Sequence, residues 1–456
     1  MATPSHERIE EDALRILELL CRQPSVSAEG RALDETAVLV EELLAGAGFE
    51  TRQLRVDDAP PAVYGEQLGR SPFTLLLYNH YDVQPADPLE LWETPPFEPS
   101  TRDGKLFARG TADNKGELAV RLAVVRALRE QSGELPVGIR WIVEGEEEMA
   151  SPHFDEIVRQ NVDLLRADAC LWEGAPARLN DGRPSVGLGF KGSLAVRIDV
   201  RLLNTDMHSG GAAVVPSAAW RLVEALATLR GPDGAVLING FYDAVAPPTD
   251  AELAAIAAQS DSTEQDLREL LGIDRFIEGV TGAALRERAA FAPTCNIAGI
   301  QTGYSGPGFK TVLPAQASAW LDLRLVPKQR PSDILALLRE HLDRKGFADV
   351  ELTVLGEAEA AGTPIEHPFV QRVLDVAEEV TGLQPSITVR AGGSLPIIDV
   401  LHRHVGVPGV AAPDNPFSLG SNAHAPNEHI SLEDVGHAVR FTYALFEQLE
   451  RATPMS

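Results

Sequence analysis

The sequence predicts an α/β protein: a mostly parallel sheet with helices on both faces, carrying an inserted α+β unit. Apolar strand-like runs alternate with helix-like segments through residues 73–174, which is the mark of a largely parallel sheet. Beyond Gly192 the order changes to alternating strands followed by helices, as in a separate α+β unit. A helix and a short strand after residue 360 then return the chain to the first sheet. At 456 residues the chain also exceeds one ordinary compact domain. The expected division is 1–192 with 359–456 for the larger domain and 193–358 for the insertion.

Taken in order, the N-terminal stretch 1–30 reads as an amphipathic helix carrying Ile9, Leu14, Ile16, Leu17 and Leu20. FTLLLYNHYDV (73–83) opens as a buried strand, and GELAVRLAVVRALRE (116–130) is helical, with Leu118, Leu122, Val125 and Leu128 on one face. VGIRWIVEG (137–145) and ADACLWEG (167–174) are strand-like. In the insertion, SLAVRIDVRLL (193–203) and SAWLDLRLVP (318–327) alternate as half-exposed strands. Pro216 opens a helix that Gly231 closes, and Ser332 caps another that Gly346 closes, followed by a strand at 349–358. The stretch 231–295, rich in Asp, Ala and Glu, shows only weak helical periodicity. FVQRVLDVAEEVTG forms a helix and VGVPGVAAP a short strand.

Composition narrows the function. Forty basic against 67 acidic residues give −27, a surface that repels phosphate backbones and anionic membranes and argues against both as partners. Cys21, Cys170 and Cys295 stand apart, as in a reducing compartment. No apolar run approaches a membrane span and the N-terminus lacks a signal-peptide pattern, so a cytoplasmic location is expected.

The chemistry gathers where apolar runs end. LLLY leads into Asn79-His80-Tyr81-Asp82, RWIV into Glu144 and Glu146-Glu147-Glu148, ACLW into Glu173, and GVAAP, after a loop, into Asn422-Ala423-His424. Asp113 lies just before the helix that begins near Lys115. Open α/β sheets bind ligands beyond the carboxyl ends of their strands, so these groups are placed to converge. Three successive glutamates are ordinarily a solvated turn and a lone histidine an ordinary one; their shared placement lifts them above that. A mixed imidazole and carboxylate set suits Zn²⁺ first and Mn²⁺ second. A pair of such ions needs a bridging carboxylate, for which Asp113 is the candidate, and Asp82 can accept the second N–H of His80. Gly187-Leu188-Gly189-Phe190-Lys191-Gly192 matches a dinucleotide-binding pattern but lies between two strands, which excludes that reading. His402-Arg403-His404 reads as a solvated edge. Neither H-E-x-x-H nor G-x-S-x-G occurs.

The chain resembles the aminoacylase, carnosinase and metallodipeptidase family of di-metal exopeptidases, its dipeptidase branch most. The resemblance rests on NHYDVQP (79–85), LWETPPFEP (91–99), RGTADNKG (109–116), EGEEE (144–148), DMHSG (206–210), YSGPGFKTVLP (304–314), DLRLVP (322–327), AGGSLP (391–396) and NAHAPNE (422–428), in order. It implies that His80 and Glu173 hold one divalent ion, Glu148 and His424 the other, and that Asp113 bridges them across a cis bond to Asn114. Glu147 would be the general base, Asp82 would orient His80, and His208 would reach the oxyanion from the partner subunit of a homodimer. Arg324, with the loop around Gly393 and Ser394, would grip the C-terminal carboxylate of a small peptide, since a guanidinium fork suits a free carboxylate. The implied reaction is dipeptide hydrolysis; N-acyl-amino-acid deacylation is the alternative, and Glu173, where many dipeptidases have Asp, is more typical of that branch. A catalytically inactive binding protein on the same fold is disfavoured because every ligand and the base are present.

Overall fold

The computed structural model describes residues 5–259, 262–393, 395–418 and 420–453. They form an eight-stranded sheet in the order Glu50–Leu54, Ala62–Gln67, Gly138–Glu144, Thr74–His80, Ala169–Trp172, Gly409–Ala411, Ser185–Gly187 and Ser386–Thr388. The four central strands run parallel, while Ala62–Gln67 and Glu50–Leu54 add antiparallel at one edge.

Alternate residues of the central strands feed two cores. Leu75 and Leu77, with Ile139, Trp141, Val143 and Leu171, face the helices His6–Cys21, Lys115–Ser132 and Leu432–Leu449. Leu76 and Tyr78, with Ile142, Cys170 and Trp172, face Phe154–Gln160 and Pro396–His404. A strand buried on both sides has no polar face, which is why LLLY is unbroken. Each such leucine contributes about 1.5–3 kcal/mol on burial. Ser5 caps the first helix by accepting from the amide of Arg8, and Ile9, Ile16, Leu17 and Leu20 face inward.

The second sheet is antiparallel, in the order Thr294–Thr302, Gln316–Leu325, Gly192–Arg201 and Glu351–Ala358. Alternate residues of its two middle strands are buried and pack with Leu222 of helix Ala218–Ala227 and Leu338 of helix Pro331–Arg344.

Several local expectations change. Helix Pro331–Arg344 starts with Pro331 itself, after Arg330, so Ser332 is not its cap; proline fixes a helical φ and needs no amide partner there. Helix Ala218–Ala227 is capped by Ser217 and ends four residues before Gly231. Within 231–295 lie helices Asp250–Ala257, Ser262–Leu271 and Gly282–Phe291. The edge strand Thr294–Thr302 carries no alternating burial and so no period to detect. His402, Arg403 and His404 end a helix, where Arg403 and His404 both meet Asp155, rather than a strand edge. Gly187–Gly192, by contrast, lies among strands as expected, and not at a helix start.

Candidate metal centre

Parallel pairing brings the carboxyl ends of three neighbouring strands to one edge. His80 ends Thr74–His80; Gly138–Glu144 leads into the single turn Glu147–Met149; Glu173 follows Ala169–Trp172. Asp113 precedes helix Lys115–Ser132, and the peptide bond from Asp113 to Asn114 is cis, as the resemblance implies. His424 arrives on a loop in which Asn422, His424 and Asn427 have φ of 56°, 62° and 60°. Non-glycine residues rarely take that left-handed conformation, and such strain collects at functional sites.

His80 is fully buried. Its Nδ1 lies 3.0 Å from the main-chain oxygen of Asp82 and 3.3 Å from Asp82 Oδ1. Its Nε2 lies 3.1 Å from Asp113 Oδ1, 3.1 Å from Glu173 Oε2 and 4.0 Å from Glu147 Oε2. On the other side, His424 Nε2 lies 3.0 Å from Asp113 Oδ2 and 3.1 Å from Glu148 Oε2. Asp113 therefore turns one carboxylate oxygen to each imidazole. Two groups of donor atoms result, each within 4.8 Å: His80, Glu147 and Glu173, and Asp113, Glu148 and His424.

Asp82 does more than the sequence suggests. Its two carboxylate oxygens accept from the amides of Glu147 at 3.2 Å and Glu148 at 3.1 Å, so one buried side chain fixes the glutamate turn as well as touching His80. Gln84 donates to Glu148 Oε2 at 2.8 Å. Gln84 lay within NHYDVQP, but nothing in its spacing distinguished it.

The electrostatics ask for positive charge. Burial, then the neighbouring Glu173 carboxylate, pushes Glu147 up to about 9. Burial also raises Glu173, whose Oε2 is buried and accepts no well-aimed hydrogen bond despite its nearness to His80. Burial opposes charge on His80, but the carboxylates of Glu173, Asp113 and Asp82 outweigh it and hold the imidazole well above its usual range. Hydrogen bonds that it donates to the Asp113 and Glu148 carboxylates raise His424 to about 10. Burial works against the Asp113 charge, yet bonds to His424 and His80 hold it below the usual carboxylate range. Five carboxylates crowd two imidazoles here, a donor set that fits a pair of divalent cations.

The remaining predicted residues lie elsewhere. His208 is exposed on the short strand Met207–His208, its Nδ1 accepting from the Gly210 amide, and it joins neither donor group of its own chain. Arg324 lies on Gln316–Leu325 with its Nε donating to Asp322 at 3.2 Å. Gly393 is exposed, and Ser394 lies outside the described residues.

A mostly parallel sheet with helices on both faces, and with imidazoles and carboxylates at its strand ends, defines the class, a metallohydrolase. The pattern of Peptidase family M20/M25/M40 matches residues 76–448, and the chain belongs to that family. It is 29% identical over 453 residues to the Cys-Gly metallodipeptidase dug1 of Schizosaccharomyces pombe, covering 94% of each chain. It is 28% identical over 412 residues to the human Beta-Ala-His dipeptidase, covering 86% of this chain and 78% of that one. Among solved structures, an M20 family metallo-carboxypeptidase, Sso-CP2 of Sulfolobus solfataricus, superposes with a TM-score of 0.89 at 33% identity, covering 96% and 99%.

Proposed function

We propose that the protein hydrolyses the peptide bond of dipeptides, using two divalent cations held by His80 and Glu173 on one side, Glu148 and His424 on the other, and Asp113 between them. The observation that carries this reading is the Asp113 carboxylate, with one oxygen 3.1 Å from His80 Nε2 and the other 3.0 Å from His424 Nε2. The dipeptidase names of the relatives from Schizosaccharomyces pombe and human support the substrate class. When bound, the cations polarise the scissile carbonyl and lower the pKa of water from ~15.7 towards ~7.

The chain's own residues do the rest. Glu147, farther from His80 than Glu173 is, takes the proton of the attacking water and returns it to the leaving amine. Asp82 holds both His80 and the Glu147 turn, so base and ligand keep a fixed relation. Arg324, with the segment around Gly393 and Ser394, holds the substrate's terminal carboxylate, and His208 of the partner subunit meets the oxyanion. A homodimer, with the 193–358 unit as lid and interface, is supported by apolar residues left exposed there. Ile297 and Ile300 lie on the edge strand, and Trp220 and Val223 on helix Ala218–Ala227. Zn²⁺ is the first choice of metal and Mn²⁺ the second. The three free thiols fit a reducing cytoplasm, and among the described residues no helix is long and apolar enough to cross a membrane.

The resemblance to a metallo-carboxypeptidase favours a second reading, removal of the last residue from longer peptides. Turnover of dipeptides, longer peptides and N-acetyl-amino acids, measured side by side, separates these and tests deacylation too. Dipeptides are expected to give the highest kcat/KM, and preference for either other class overturns the assignment. Chelation is expected to abolish turnover and Zn²⁺ or Mn²⁺ to restore it. Metal analysis should find two ions per chain in the active enzyme; one or fewer at full activity removes the two-metal scheme.

A further inference from the structure

Behind the ligands lie two buried charged side chains, each with almost every polar atom engaged, that nothing above gives a role. Arg121 is fully buried on helix Lys115–Ser132. Its Nε donates to Asp414 Oδ2 at 2.7 Å; its Nη1 to Tyr78 O at 2.7 Å and Asn79 Oδ1 at 3.0 Å; its Nη2 to Glu117 Oε1 at 3.0 Å and Trp172 O at 3.1 Å. All five guanidinium hydrogens are thus directed, and only arginine offers that number in a planar fork. Asn79 immediately precedes His80, and Trp172 immediately precedes Glu173. The guanidinium therefore spans the ends of the two adjacent strands that carry these residues.

Glu428 is the complementary case, a buried carboxylate collecting donors from one short segment. Its Oε2 accepts from Arg109 Nη1 at 2.7 Å and the Gly110 amide at 2.9 Å, and its Oε1 from the amides of Ala112 at 2.8 Å and Asp113 at 3.2 Å. Residues 109–113 are wrapped around a single side chain. That side chain sits four residues after His424, on a loop closed by the bond from the His429 amide to Ser421 O. Asp113 and His424 are placed relative to each other through it.

The two supports bear directly on different ligands and are linked through Glu117, which Arg121 holds and which also accepts from Asn114 beside Asp113. Arg121 touches the backbones before His80 and Glu173, whereas Glu428 touches the Asp113 amide and the His424 loop. We propose that Arg121 and Glu428 are positioning residues of the donor set, Arg121 acting chiefly on the His80–Glu173 half and Glu428 on His424 and the bridging Asp113. The proposal rests on the two-metal reading above. Side chains that orient ligands typically change metal affinity by about 10–100-fold when altered. Backbone-directed supports such as these act on the ligand's position rather than on its chemistry.

The test uses the full chain and Zn²⁺ alone. His424→Ala and Glu173→Ala each leave one half of the set, and Zn²⁺ affinity is measured in both by chelator competition. Arg121→Lys keeps the charge but loses most of the fork; Glu428→Gln keeps the shape but turns an amide towards donors. Arg121→Lys is expected to weaken the ion remaining in His424→Ala by about 10–100-fold and to change the ion in Glu173→Ala far less; Glu428→Gln, which loosens His424 as well as the bridging Asp113, should weaken the ion in Glu173→Ala by about 10–100-fold and the ion in His424→Ala less. Melting of the metal-free proteins is recorded in parallel, because a merely structural role lowers stability and weakens both ions alike. Equal loss in both backgrounds, or no loss in either, overturns the proposal. Should Arg121→Lys fail to fold, Asp414→Asn, which loosens the same guanidinium, takes its place. If His424→Ala and Glu173→Ala do not themselves each lose an ion, it is the two-metal reading that has failed.

Discussion

Glu147→Ala is expected to remove most turnover while both metals stay bound, whereas Glu148→Ala loses one metal. The two carboxylates are neighbours on one turn, yet their surroundings differ. Glu148 is nearly inaccessible, 3.1 Å from His424 Nε2 and held by Gln84. Glu147 stands 4.0 Å from His80 Nε2, behind the closer Glu173, and keeps 17% of its side chain open. A carboxylate that is close to the centre but not drawn fully into it is placed to exchange protons with a water and a leaving amine. Removing a general base costs ~10²–10⁴-fold, and more when the same group returns the proton. Metal content and kcat measured on both variants decide the matter. Near-normal kcat in Glu147→Ala, or loss of a metal there, shows that Glu147 is a ligand and that the roles must be exchanged.

Much of the arrangement was legible because burial leaves a trace in sequence. LLLY and ACLW are apolar without interruption since both faces of their strands are covered, so a charged residue immediately after them must sit at a strand end. The ends of His80 and Glu173 followed from that alone, and the turn of Glu147 and Glu148 from the same logic applied to RWIV. What was not legible had no period. Thr294–Thr302 is an edge strand exposed on both sides, so its residues alternate with nothing. Arg121 reads in sequence like the other arginines of its helix, Arg126 and Arg129, and only the fold shows it buried and satisfied from two strands at once. Glu428 was visible as part of NAHAPNE, but a carboxylate that binds amides cannot be told in sequence from one that binds metal. Asp82 shows the same limit: its nearness to His80 was readable from spacing, while its grip on the amides of Glu147 and Glu148, more than sixty positions away, needed the sheet.

Mixing two inactive variants, His208→Ala and Glu147→Ala, is expected to restore part of the activity. His208 is exposed on Met207–His208, a strand paired with Val312–Leu313 and far in sequence from the metal ligands, and within its own chain it belongs to neither donor group. A histidine so placed is either an ordinary surface residue or one that acts on another subunit. The apolar residues left open on the edge strand and on helix Ala218–Ala227 favour a second copy packing against this unit. If His208 donates a hydrogen bond to the developing oxyanion in the partner's site, losing it costs ~10²–10³ in kcat. A mixed dimer then contains one site with an intact Glu147 and an intact His208 supplied in trans, and one site lacking both. Random exchange of subunits makes half of the dimers mixed, each with one competent site, so recovery should approach a quarter of the activity of the unaltered enzyme. Neither variant alone regains activity on the same treatment. Mixed dimers that demonstrably form yet recover nothing show that His208 acts within its own subunit or takes no part in catalysis.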